Sequence, residues 1–230
     1  MRTKMADVNQ VQQTEERNEV VDRMTGFWSK NNKAIVMAFA ALIIVVGGYF
    51  GYKYLVKEPN EKKASDAIFR AESYYRQDSL SLALNGDNVN PGFVKVASKF
   101  SGTKAGNIAN FYAGDCYLKL GDYANAIKYL KAFSTSSKQF EARALALLGD
   151  AYADSGKKEE AIDQYKKAGT LFEKDDYNSP EYLFRAGLLS ETIGKTKEAI
   201  ELYKTIQTKY PRSERGMSID KYLARLGVTE

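Results

Sequence analysis

The hydrophobic positions of the chain form one long apolar run near the N-terminus, and beyond it they recur at helical spacing. Residues 34–56 read AIVMAFAALIIVVGGYFGYKYLV, with no charged residue between Ala34 and Tyr52. At about 1.5 Å of rise per residue, a helix over that uncharged run is roughly 28 Å long. A bilayer core is roughly 30 Å thick. Lys33 and Lys53 flank the run, where their ammonium groups can reach the two interfaces. The pattern predicts a single transmembrane helix over residues 34–56.

A buried core helix and a cleaved signal peptide are the two alternatives to a membrane anchor. The length of the apolar run disfavours a core helix. The apolar region of a signal peptide is usually about 7–15 residues long, follows a short basic segment and ends at small residues. Here 33 residues precede the run, and no A-x-A-like site follows it. An uncleaved anchor is therefore predicted.

Residues 1–33 are predicted to form a polar tail that contains a short amphipathic helix. From Thr14 onward, apolar residues recur at helical spacing. They are Val20, Val21, Met24, Phe27 and Trp28. Such a helix could lie on the membrane surface, or it could simply continue the anchor helix into water. Lysine and arginine are equally frequent on both sides of the span, so the positive-inside rule gives no orientation. A short tail before an anchor favours the usual arrangement, with the tail in the cytoplasm and the large domain outside.

Beyond residue 103, three segments of the chain align with one another. Gly114, Gly149 and Gly187 are 35 and 38 residues apart, and a polar loop around 175–178 absorbs the longer spacing. These packing glycines are predicted to lie where two helices cross too closely for a larger side chain. Each segment then has a turn glycine, an alanine and a bulky residue four positions later. In order, these are Gly121, Ala126 and Leu130; Gly156, Ala161 and Tyr165; and Gly194, Ala199 and Tyr203. The pattern resembles the tetratricopeptide repeat, which has a period of about 34 residues and forms one helical hairpin per repeat.

The predicted fold class is therefore all-α, with one transmembrane helix followed by a solenoid of helical hairpins over residues 58–230. The three repeats are expected at about 105–138, 140–172 and 179–211. Residues 61–100 are expected to form a degenerate first hairpin. Residues 213–226 are expected to form the polar-faced closing helix that a solenoid needs at its end.

The composition narrows the range of functions. The 230 residues carry a net charge of +5 and include no histidine, so the commonest general base and the commonest transition-metal ligand are both absent. A single cysteine, Cys116, excludes an intramolecular disulfide and a cysteine-rich zinc site. From Glu58 onward, 26 basic residues face 24 acidic ones, which argues against nucleic-acid binding because that needs a basic stripe. The sequence predicts no enzyme, no cofactor and no metal site.

A protein-binding groove is predicted instead, because the first helices of stacked hairpins line the concave face of a solenoid. The predicted groove residues lie on the face of these helices that points away from the packing glycine. They are Ile108, Phe111, Asp115 and Leu118; Arg143 and Asp150; and Phe184 and Leu188. Phe111, Leu118, Phe184 and Leu188 would suit an extended apolar segment. The alternative is that the N-terminal hairpin or the closing helix covers them. Some tetratricopeptide proteins hold a peptide carboxylate with lysine and asparagine on this face, and those residues are missing here.

A second predicted contact surface lies in the anchor itself. Gly47 and Gly51 are four residues apart and share one helix face, with Gly48 beside them. In lipid, small residues allow two helix backbones to approach closely. The alternative is that glycine is simply frequent in spanning helices.

The whole layout resembles a known family. The tail sequence EVVDRMTGFWSKNNKAI, the span ending GGYFGYKYLV and the repeat domain together resemble the ancillary subunit of the bacterial SecYEG translocon. The resemblance implies a single-pass protein of the bacterial inner membrane, with its N-terminus in the cytoplasm and its repeat domain in the periplasm. It implies no catalytic residue. The implied partners are Sec translocon subunits, a membrane-anchored periplasmic chaperone of the prolyl-isomerase type, and newly exported client proteins.

Two other functions fit the same layout. One is an anchored tetratricopeptide scaffold for another envelope process, such as cell division or outer-membrane assembly. The other is a receptor that faces the cytosol and grips targeting peptides.

Overall fold

The computed structural model describes the backbone of residues 2–228 and the side chains of residues 21–228. This part of the chain is all-α, as the sequence predicts. It divides into two compact units between Glu58 and Pro59.

The N-terminal unit consists of one long helix and a short helical turn. Helix α1 (Arg2–Tyr52) runs without interruption through both the tail and the apolar run. The tail is therefore helical and continuous with the anchor helix, while its position on the membrane surface or in water stays a prediction. Lys53–Lys57 then forms a π-helical turn, in which the N–H of Glu58 donates to the carbonyl of Lys53. Pro59 follows at once in the first turn of the next α-helix, Glu58–Arg76, where its missing N–H interrupts the helical hydrogen bonds only locally.

The apolar part of α1 has the properties that a spanning helix requires. Within the described residues, one helix near the N-terminus is long and apolar enough to cross a membrane, and none of its most apolar window is buried. Membrane anchors and signal sequences share this character.

The second unit begins with three helices where the sequence predicts one degenerate hairpin. They are α2 (Glu58–Arg76), α3 (Leu80–Asn85) and α4 (Phe93–Lys99). Their apolar faces, which include Ile68, Leu84 and Phe93, pack together with residues of the next helix as one core cluster.

Three helical hairpins follow at the positions of the predicted repeats. The helices are α5 (Lys104–Lys119) and α6 (Tyr123–Ala132), α7 (Lys138–Asp154) and α8 (Lys158–Leu171), and α9 (Asn178–Thr192) and α10 (Thr196–Lys209). The turn glycines Gly121, Gly156 and Gly194 have φ values of 78°, 79° and 76°. This left-handed conformation ends a helix cheaply only at glycine. The role predicted for these glycines is confirmed.

The packing glycines also have the role that the sequence predicts. A Cβ added to Gly114 would lie 2.5 Å from Leu130 Cγ, one on Gly149 would lie 2.7 Å from Tyr165 Cδ1, and one on Gly187 would lie 2.4 Å from Tyr203 Cε1. Real Cβ atoms do not approach other atoms so closely. In each repeat, the glycine of the first helix therefore leaves room for the bulky residue of the second.

The solenoid ends in two short helices rather than one. They are α11 (Glu214–Ser218) and α12 (Asp220–Arg225), separated by Ile219, whose N–H donates to the carbonyl of Gly216. Ile219 and Leu223 are buried and join the core cluster of the repeats. The closing segment therefore covers the apolar end of the last repeat, as a terminal element of a solenoid must.

Candidate protein-binding groove

The first helices of the second and third repeats, α7 and α9, both pack against α8. Tyr182 of α9 also joins Ala142 and Ala146 of α7 in a small core cluster. The connection between α8 and α9 is the place where the longer repeat spacing is absorbed. There Asp175 accepts hydrogen bonds from the backbone N–H groups of Tyr177 and Asn178, at 3.2 and 2.8 Å. These hydrogen bonds fix the turn at the start of α9.

A cavity of about 860 Å³ lies between α7, the start of α9 and the segment that joins α10 to α11. One wall is α7 and the other is the start of α9, while the segment between α10 and α11 closes the end. The lining includes Arg143, Leu147 and Asp150; Asp176, Tyr177, Glu181, Tyr182 and Arg185; and Lys209, Tyr210, Arg212, Glu214 and Arg215. The lining also includes Ala146, Pro180 and Pro211, so charged and apolar side chains both contribute substantially to its surface.

A chain of ion pairs ties the three walls together. The Nη1 of Arg185 donates to Asp150 at 2.8 Å, and its Nε donates to Glu181 at 2.9 Å. The Nε of Arg215 donates to the other oxygen of Glu181 at 2.6 Å. Burial alone would raise the pKa of Glu181, but the hydrogen bonds from Arg215 and Arg185 outweigh it and hold that pKa below its usual value. These side chains are partly exposed, so each pair stabilises the fold only modestly.

Phe184, a predicted groove residue, lies in the core instead. Its side chain is 3% exposed. The ring of Tyr222 from α12 packs edge-on against it with centroids 4.8 Å apart, and the guanidinium of Arg215 stacks 4.2 Å from its centroid. The closing segment therefore covers Phe184, which is the alternative that the sequence left open.

Phe111 and Asp115 are also covered. Phe111 is 5% exposed and packs against Phe133 and Phe140, with centroids 5.3 and 6.1 Å away. Asp115 is 4% exposed, accepts a hydrogen bond from the hydroxyl of Tyr75 on α2, and pairs with Lys119 at 2.9 Å. The sequence assigned these residues to an inner helix face but could not show which neighbours lie on that face.

The remaining predicted residues divide between the cavity and other surfaces. Arg143 and Asp150 line the cavity. Ile108 is exposed, and Leu118 and Leu188 are half-buried, but none of the three lines it. Phe111, Asp115 and Phe184 are therefore corrected from groove residues to buried ones, whereas a binding role for the other residues stays a prediction. Sequence reasoning missed Arg185 and Arg215 as groove residues. The i, i+4 spacing of Glu181 and Arg185 was an available signal, whereas Arg215 lies outside the repeats.

The anchor glycines lie on an open surface of α1. A Cβ added to Gly47, Gly48 or Gly51 would meet no atom within 4 Å in the described structure. A contact between this face and another helix stays a prediction.

The fold and the groove define a class of protein: stacked helical hairpins that bind other proteins. Sequence comparisons agree with this class. A family model described as a tetratricopeptide repeat-like domain matches residues 25–148, and models of the tetratricopeptide repeat match residues 142–175 and 181–213. The first match alone covers more than half of the chain, so the protein belongs to the tetratricopeptide repeat-like domain family. A comparison with curated proteins found no match.

Membership of this family gives the chain a general role. Tetratricopeptide domains are protein-interaction scaffolds, and their repeats suggest binding rather than catalysis. The chain is therefore a tetratricopeptide scaffold that carries a long apolar helix near its N-terminus.

Proposed function

We propose that this protein is a membrane-anchored scaffold that associates with the Sec translocon and periplasmic chaperones to assist newly exported proteins. Helix α1 crosses the bacterial inner membrane once, with its N-terminal end in the cytoplasm and the repeats in the periplasm. The partners are translocon subunits and a membrane-anchored chaperone of the prolyl-isomerase type. Exported proteins are the clients.

The main support for the proposal is that a single family match includes both the apolar helix and the first helical hairpins. The matched region begins at Thr25 and includes both the apolar run and the first hairpins. An apolar segment that belongs to the family domain favours a permanent anchor over a segment removed after export. The resemblance of the tail and span to the ancillary translocon subunit supports the choice of partners.

Purification of the full chain from membranes in a mild detergent tests the proposal. Mass spectrometry of the eluate should identify translocon subunits and the anchored chaperone together. A chain with an unrelated single-pass helix in place of residues 34–56 is the control for the contribution of the span. Recovery of cell-wall or outer-membrane assembly proteins, without translocon subunits, would establish a different envelope scaffold. Recovery of cytosolic proteins alone would establish a cytosol-facing receptor.

A further inference from the structure

The carboxylates on the floor of the cavity are already engaged by protein donors. Asp150 accepts from Tyr165 at 2.6 Å and from Arg185 at 2.8 Å. Glu181 accepts from Arg185 through one oxygen and from Arg215 through the other. A cationic ligand would have to compete with these bonds. The floor is therefore poorly suited to a basic partner.

The arginines of the lining, in contrast, have N–H groups that make no hydrogen bond to the described part of the protein. A guanidinium group has five N–H donors. Arg215 uses only its Nε, and neither of its Nη atoms donates to a protein group in the described part of the chain. Arg143 and Arg212 also line the cavity and have no ion-pair partner among the described residues. Arg143 and Arg212 are exposed, as are the two lining carboxylates without an ion-pair partner in the described structure, Asp176 and Glu214, so water solvates all four groups alike. The half-buried Arg215 is the group that distinguishes the site.

Arg215 is held in place before any ligand arrives. Its guanidinium lies 4.2 Å from the centroid of the Phe184 ring on one side, and its Nε bonds to Glu181 at one edge. A guanidinium group whose plane is fixed in this way can receive a carboxylate through two parallel hydrogen bonds. It also loses less freedom on binding than a mobile side chain does.

We propose that the cavity between α7, α9 and α11 binds an extended peptide segment through its acidic side chains. Arg215 is the anchor residue, and Arg143 and Arg212 supply further cationic contacts. A volume of about 860 Å³ suits a few residues of an extended chain. The covered rings of Phe111 and Phe184 contribute no apolar surface to the cavity. The site also differs from a lysine and asparagine grip, because Arg215 comes from a closing helix outside the repeats. The proposal does not depend on which membrane partner the protein has.

Fluorescence anisotropy with the full chain in nanodiscs tests the proposal. The ligands are four dye-labelled glycine–serine peptides of equal length that carry glutamate, glutamine, lysine or leucine at the same positions. The glutamate peptide should bind about tenfold more tightly than the glutamine peptide, because hydrogen bonds to charged groups are the stronger ones. Its affinity should fall as salt is added. Equal binding of all four peptides, or preference for the lysine or leucine peptide, would overturn the proposal.

Two variants locate the binding. Arg215→Lys keeps the charge and removes the planar fork, so it should weaken binding of the glutamate peptide severalfold. The pair Arg143→Glu and Arg212→Glu breaks no ion pair of the described structure, and it should reverse the preference toward the lysine peptide. Arg70→Glu, on the exposed surface of α2, is the matched control and should leave the preference unchanged. A folded double variant that still prefers glutamate would place the site elsewhere. Because no translocon is present, this result is independent of the membrane partner.

Discussion

The hydroxyl of Tyr165 on α8 donates a hydrogen bond to Asp150 on α7, and the same carboxylate oxygen accepts from Arg185 on α9. One carboxylate thus joins three helices of two successive repeats. A tyrosine, a carboxylate and a cation also meet at two other places, although at Asp115 the cation lies on the same helix as the carboxylate. Tyr203 and Arg225 both donate to Glu191 at 2.5 and 2.7 Å, and Tyr75 and Lys119 both contact Asp115. A tyrosine, a carboxylate and a cation form a repeated connection between neighbouring elements.

Alkaline pH should weaken the Tyr165 connection. Burial and then the negative charge of Asp150 raise the pKa of Tyr165 in the folded state above its usual value of about 10. Since the folded pKa is the higher one, the stabilisation is fully present below about pH 10 and is lost as pH rises beyond it. Denaturant unfolding of the full chain, followed by circular dichroism from pH 8 to about pH 11, should show a falling free energy of unfolding. The slope should be shallower in Tyr165→Phe.

The same variant has a second expected effect at neutral pH. Loss of a single hydrogen bond typically costs about 0.5–1.5 kcal/mol. The exposed ring of Tyr177 provides the control, since Tyr177→Phe should change neither the stability nor its slope with pH. If Tyr165→Phe and Tyr177→Phe behave alike, the Tyr165–Asp150 bond contributes nothing to folding.

Gly149→Ala should destabilise the second repeat. The new methyl group would lie 2.7 Å from two carbons of the Tyr165 ring, which is itself buried and cannot move freely. Overpacking of this kind typically costs about 1–3 kcal/mol. Gly102→Ala is the matched control, because its Cβ would meet no atom within 4 Å. The midpoint of thermal unfolding should fall for Gly149→Ala only. Equal midpoints would mean that the two helices can separate without cost.

Cys116 should resist alkylation while the protein is folded. Its side chain is inaccessible, and burial, followed by the nearby charge of Asp115, raises the pKa of the thiol to about 12. At pH 8 this leaves about a thousandfold less thiolate than an ordinary cysteine has. Iodoacetamide should therefore modify Cys116 only under unfolding conditions, as mass spectrometry can show. Rapid modification of the native protein would reveal frequent opening between α4 and α5.

The repeats should be exposed to protease added to spheroplasts, because the proposed topology places them outside the cytoplasm. Digestion should remove residues beyond about 60 and leave a fragment that contains the tail and the span. A cytoplasmic protein in the same cells should survive and serves as the control. A repeat unit that resists digestion until the membrane is lysed would reverse the topology.

The glycine face of α1 should contact another transmembrane helix. Photo-crosslinking groups at residues 44, 47, 48 and 51 should capture a translocon subunit or the anchor of the chaperone. Gly47→Leu with Gly51→Leu should abolish that capture, because leucine prevents close approach of the backbones. Membrane insertion should be unchanged, since leucine inserts more favourably than glycine. Full co-purification of the leucine variant would assign the association to the repeats.

The repeats could be predicted from the sequence because their signals are local and recur. The spacing of Gly149 and Tyr165 specifies a helix crossing that does not depend on the rest of the chain. The groove could not be predicted in the same way. Helical periodicity placed Phe184 on an inner face, but only the folded structure shows Arg215 and Tyr222 covering it. The interval from Gly149 to Gly187 is visibly three residues longer than the one before it. The cavity between α7, α9 and α11 has no such signal in the sequence.

The closing segment that carries Arg215 has two roles. The same short segment shields the apolar surface of the last repeat and supplies one wall of the groove. Occupancy of the groove and the folding of this segment are therefore thermodynamically linked, because a ligand that contacts Arg215 binds only when α11 is in place. A bound partner would suppress fraying at the C-terminal end before it affects any other part of the domain. Slower amide hydrogen exchange at residues 214–225 would therefore be a measure of ligand binding.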